Sequence, residues 1–173
     1  TADANTSVGH YSMGSNTTGA NNVAVGYYAL DANTTADANT AIGYAALGAN
    51  TTGYSNTAVG QNALIANTTG FKNTAVGVNA LATNTDGDYN TALGEAALIA
   101  STTANNNTAV GYKSLFACTT GQFNVAVGDQ ALDAITTASY NTAVGRQALT
   151  QQNSTGQNDA FGNRAGYSVT GGS

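Results

Sequence analysis

The chain has 173 residues, a formal net charge of −5 and only 8% charged residues, with no Pro or Trp. Much of its hydrophobic content is Ala. Ala buries little area for a core stabilised at ~25 cal/mol per Å², so a conventional globular core is excluded. The four basic residues, Lys72, Lys113, Arg146 and Arg164, are scattered, which gives no footprint for nucleic acid or an anionic membrane, and no apolar run approaches the ~18 residues of a spanning helix.

The first residues, Thr1-Ala2-Asp3-Ala4, match Thr35-Ala36-Asp37-Ala38. They read as the tail of a preceding coil. From there a unit begins at each of Asn5, Asn22, Asn39, Asn56, Asn73, Asn90, Asn107, Asn124, Asn141 and Asn158, and every interval is 17 residues. Gly lies four residues after each Asn, from Gly9 to Gly162. With Asn as position 1, the unit reads N-T-A-V-G-x-x-A-L-x-x-N-T-T-G-x-x.

A helical repeat fails on three counts. Two packed helices need ~33 residues or more, a recurring Gly costs a helix ~1 kcal/mol each time, and Asn-Thr-Thr-Gly favours turns and extended backbone. The prediction is therefore an all-β parallel β-solenoid. One domain spans 1–173 as ten 17-residue coils, and 167–173 form a divergent C-terminal tail. Each coil is expected to hold two or three short strands, stacked on the next coil at ~4.7–4.9 Å.

Gly at position 5 permits a corner with positive φ. Asn at position 1 either takes a left-handed corner or stacks its amide on its copies, as in cross-β ladders. Gly or Ala at position 15 marks another bend. Ser7 and then Ala24 to Ala160 fill position 3, and Val8, Val25, Ile42, Val59, Val76, Leu93, Val110, Val127, Val144 and Phe161 fill position 4. Neighbours on a strand face opposite ways, so the small column is expected inside the roll. The Val column, and with it the Leu column of position 9, is expected to meet other copies around a shared axis. The alternative is that Leu fills the interior, if its segment is irregular. An uncovered ladder of this length exceeds the few hundred Å² that soluble monomers tolerate, which points to an oligomer.

The N-T-A-V-G element resembles the N-S-V-A-I-G-type element of trimeric autotransporter adhesin heads. The full unit, as in NTAVGQNALIANTTGFK from Asn56 to Lys72, is similar to repeats in tail-fibre-type proteins of phages and bacteria. The resemblance covers essentially the whole chain. It implies β-rolls with three chains around one axis, hence a homotrimer, and an extracellular, cell-surface or virion location.

The expected function is mechanical: a structural, non-enzymatic shaft or filament segment, with itself as lateral and head-to-tail partner and a surface glycan or receptor as a further partner. No catalytic, cofactor or metal residues are assigned. His10, the single His, occupies a variable position. Cys118 stands where other units carry Asn16, Asn33, Asn50, Asn67 and Asn84, and reads as a substitution in a turn rather than a nucleophile. The acids, such as Asp86 with Asp88 and Asp129 with Asp133, do not form calcium-type repeats.

The rival function is ice binding through ranks of Thr. Thr-Thr recurs at 17–18, 34–35, 51–52, 68–69, 102–103, 119–120 and 136–137, beside a second column through Thr6, Thr40, Thr57, Thr74, Thr91, Thr108 and Thr142. Asn16, Asn33, Asn50 and Asn67 open formal glycan sequons. Tyr54, Phe71, Tyr89, Phe123 and Tyr140 could line a carbohydrate-binding stripe, although their scatter over neighbouring positions favours packing.

Overall fold

The computed structural model describes residues 3–150 and 157–167. Part of the predicted leading tail (residues 1–2) and most of the predicted C-terminal tail (168–173) lie outside the described residues. The chain is an all-β parallel β-solenoid, with no helix among the described residues. Each unit contributes one three-residue strand: β1 (Thr6–Val8), β2 (Val23–Val25), β3 (Thr40–Ile42), β4 (Thr57–Val59), β5 (Thr74–Val76), β6 (Thr91–Leu93), β7 (Thr108–Val110), β8 (Val125–Val127), β9 (Thr142–Val144) and β10 (Asp159–Phe161). They form one ten-stranded sheet in sequence order. Pairing keeps like on like, with Thr57 on Thr74, Ala58 on Ala75 and Val59 on Val76.

One strand per coil, rather than two or three, is a correction to the sequence expectation. The rest of each coil is turn. In the fourth unit Gly60 has φ 134°, and Asn62, Leu64 and Lys72 have φ of 58°, 51° and 54°. The same positions, 5, 7, 9 and 17, are positive in unit after unit. Between them run overlapping turns: the N–H of Ala63 donates to the Gly60 carbonyl (3.3 Å), Ile65 to Asn62 (3.3 Å) and Asn67 to Leu64 (3.1 Å). Bonds to adjacent coils continue through this zigzag. Asn62 N–H donates to Tyr44 of the coil before at 2.9 Å, and Leu64 N–H to Ala80 of the coil after at 3.0 Å.

Left-handed residues break the strict alternation of sides that a strand imposes. Ala63 and Leu64 are therefore both fully buried, as is Ala58 of the strand. The Leu column does not face a shared axis: Leu30, Leu47, Leu64, Leu81, Leu98, Leu115 and Leu132 are at 0% exposure inside the coil. Each contributes about 1.5–3 kcal/mol by burial. The small residues of position 3 face inward as the strand alternation requires, with Ala24, Ala41, Ala58, Ala75, Ala92, Ala109, Ala126 and Ala143 all buried.

The rest of the interior is amide. The position 1 Asn residues are buried from Asn22 to Asn141. The left-handed corner falls on position 17 instead, and Asn stacks. The backbone N–H of Asn56 donates to Asn39 Oδ1 at 2.9 Å, and that of Asn73 donates to Asn56 Oδ1 at 2.9 Å. Asn56 Nδ2 reaches across the coil to the Gly70 carbonyl at 2.8 Å. A second ladder runs beside it at position 12, where Asn50 Nδ2 donates to Asn33 Oδ1 (3.3 Å), Asn67 to Asn50 (2.8 Å) and Asn84 to Asn67 (2.9 Å). Asn67 Nδ2 also meets the Gly70 carbonyl, at 2.9 Å. Position 15 is thus small because it is buried and its carbonyl receives both amides. None of its residues has positive φ among those described.

Candidate functional site

The strand carries the most regular outward surface. Positions 2 and 4 point the same way because neighbours alternate. In β4 the burial runs half-buried Thr57, buried Ala58, half-buried Val59. Along the sheet this makes two parallel columns, one mainly of Thr and one of Val, Ile, Leu or Phe. Val8 is 58% exposed, Ile42 39%, Leu93 37% and Phe161 70%. Asp159 is the one charged residue in the two columns.

The two sets of Thr differ in chemistry. At position 13 the hydroxyl is spent on the backbone: Thr17 donates to the Thr34 carbonyl at 2.9 Å, Thr51 to Thr68 at 3.0 Å, Thr85 to Thr102 at 3.1 Å and Thr119 to Thr136 at 3.1 Å. At position 2 the hydroxyls of Thr40, Thr57, Thr74, Thr91, Thr108 and Thr142 have no hydrogen-bond partner among the described residues. The hydroxyls beside Val are therefore unbonded, as are those of Thr18, Thr35, Thr52, Thr103, Thr120 and Thr137 at position 14 among the described residues, whereas Thr69 is bound to Asp86.

The aromatic residues stack along the rod. Tyr54 and Phe71 lie 4.9 Å apart at 3°, and Phe123 and Tyr140 lie 5.1 Å apart at 8°. Tyr89 instead meets Phe71 edge-on at 5.3 Å. Stacking uses a face of each paired ring, the surface on which a sugar ring would lie. A second group joins His10, Tyr27 and Tyr44 in one stack and Tyr11 and Tyr28 in another. Tyr28 is raised above the ordinary tyrosine pKa, first by its hydrogen bond to Tyr27.

The remaining candidates are structural. Cys118 is buried in the position 12 column, its thiol 3.5 Å from the Gly121 carbonyl. Burial pushes its pKa up to about 11, so the reactive thiolate is scarce at neutral pH. His10 is exposed on the aromatic group. Asp86 accepts hydrogen bonds from Thr69 (2.7 Å) and Thr85 (3.0 Å), which hold its carboxyl below the ordinary value. Asp88 takes the Phe71 N–H at 2.9 Å. Asp129 lies 3.8 Å from Arg146, an exposed pair. Asn33, Asn50 and Asn67 are at 0% exposure and use their Nδ2 within the rod, so these sequons are closed to glycan transfer in the folded chain. No group of His, Cys, Asp and Glu among the described residues is placed to hold a metal ion.

Sequence reasoning missed the second Asn ladder. Its signal was the Asn column at position 12, which reads as turn composition once Ser101, Cys118 and Ile135 interrupt it. No protein family, curated protein or solved structure matches this chain.

Proposed function

We propose that this protein is a mechanical element: a stiff, non-catalytic shaft segment of an extracellular or virion fibre. Its copies associate side by side, three around one axis, through the strand face of positions 2 and 4. The observation that carries this reading is the apolar column from Val8 to Phe161 on an unbroken sheet. Soluble monomers rarely leave so continuous an apolar surface uncovered. The face is also nearly free of charge, so identical copies can meet on it without like-charge repulsion.

Multi-angle light scattering on the full chain tests the reading. The expected particle has three times the chain mass of 17.2 kDa. Val59→Asp together with Val76→Asp is expected to yield monomers that keep their β circular dichroism, because both side chains point out of the core. A monomeric wild type, or an assembly indifferent to the two charges, overturns it.

A second reading uses the same face. The unbonded hydroxyls of Thr40, Thr57, Thr74 and Thr91 stand in line beside Val methyls, which is the arrangement an ice-binding surface requires. A monomer with thermal hysteresis that disappears in Thr57→Lys/Thr91→Lys would favour this reading over the shaft.

A further inference from the structure

Among the described residues, ring contacts between two tyrosines occur in three successive coils only. Tyr11 stacks on Tyr28 at 5.0 Å and 5°, Tyr27 stacks on Tyr44 at 5.6 Å and 11°, and Tyr27 meets Tyr28 edge-on at 4.3 Å. Tyr11, Tyr27 and Tyr44 are 53%, 42% and 53% exposed. The other tyrosines meet different groups: Tyr54, Tyr89 and Tyr140 meet phenylalanines, Tyr112 lies under Lys113, and Tyr167 lies under Arg164.

We propose that Tyr11–Tyr28 and Tyr27–Tyr44 are sites of oxidative cross-linking, which staple consecutive coils of the rod covalently. The oxidant is hydrogen peroxide acting through a haem peroxidase. Each phenol gives up one electron and its hydroxyl proton and becomes a phenoxyl radical. Two radicals join through their ortho carbons, and each ring then moves its ortho hydrogen to oxygen as a proton and regains aromaticity. One peroxide takes the two electrons and two protons and leaves as two waters. The solenoid's part is positional. Its register holds two phenols side by side at each of the two pairs, with Tyr11, Tyr27 and Tyr44 exposed and Tyr28 half-buried, so coupling within one chain competes with random collision. The inference needs only the coil register, not the shaft reading.

The test treats dilute full-length protein, mixed from isotopically light and heavy chains, with peroxidase and hydrogen peroxide. Dityrosine fluorescence and mass-spectrometric mapping of the digested product are the readouts. The expected result is two bridges, Tyr11–Tyr28 and Tyr27–Tyr44, each within a single chain and each lowering the mass by two hydrogens. Tyr44→Phe should remove one bridge, and Tyr27→Phe with Tyr28→Phe should remove both. Phenylalanine keeps the stacks, and circular dichroism checks that the coil persists. Absence of bridges in the wild type overturns the proposal. So do bridges that join light to heavy chains, or that map to Tyr112 or Tyr140.

Discussion

Asn84 Oδ1 and Ser101 Oγ are both buried without a hydrogen-bond partner, and they are the two sides of one defect. In the coils before them, each position 12 amide donates to the one below; Ser101 is too short to continue. Ser101→Asn should restore the link to Asn84 and offer a second bond to the Ala104 carbonyl. Relieving a buried orphan is worth about 1–3 kcal/mol, so the variant should unfold at higher denaturant concentration than the wild type. Asn62 Oδ1 and Asp133 Oδ1 are also buried without a hydrogen-bond partner, and of these Asp133 carries a titratable group. Burial raises its pKa above the ordinary 3.8. A raised carboxyl costs nothing while it is protonated in both states, below the unfolded value. The penalty grows as pH climbs through the folded value. Asp133→Asn should therefore stabilise the protein at neutral pH and leave it unchanged at a pH below 3.8, as read from thermal midpoints at both pH values. Neither defect could be read from sequence. Asn at position 12 was visible as a column, but its burial depends on the path of the turns around it.

That path belongs to the coil, and two kinds of positive-φ residue build it. Gly at position 5 is obligatory. Gly77 has φ 136°, and a Cβ there would lie 2.5 Å from the Gly94 carbonyl oxygen. Both the forbidden torsion and the backbone clash oppose any side chain. Gly77→Ala should cost about 3 kcal/mol or more, given 1–3 kcal/mol for torsional strain alone. Positions 7, 9 and 17 carry ordinary residues in left-handed conformation, at roughly 1–2 kcal/mol each. Ala38, exposed at φ 59°, allows the reverse experiment. Ala38→Gly should raise stability by about 0.5 kcal/mol, since relief of the left-handed torsion exceeds the extra unfolded-state entropy of Gly. Denaturant unfolding of the two variants compares the effects. The Gly corner was legible because only Gly tolerates it. Leu64 or Lys72 announces nothing about φ, and so the sequence suggested two or three strands where the coil makes one. The same blindness favoured the outside for the Leu column, whereas the alternative, Leu inside an irregular segment, is the one the coil adopts.

At the scale of the molecule, the repeat made the solenoid legible. An interval of 17 held across ten units leaves one economical solution, in which like residues stack, and the sheet register follows it pair by pair. What covers the outer face is a different kind of question. Intrachain hydrogen bonds do not decide whether Val59 and Val76 meet water, ice or another copy. Light scattering on the charged double variant addresses it at the right scale, because the same substitutions leave the buried Ala, Leu and Asn columns intact.

The Asn ladder also bears on how such a molecule grows. Each Asn hands its oxygen to the next coil and takes one from the coil before, so an inserted unit finds both partners waiting and disturbs neither neighbour. Duplicating one unit would lengthen the rod by a fixed step without redesigning its interior. A protein made this way is a ruler, with a span set by copy number.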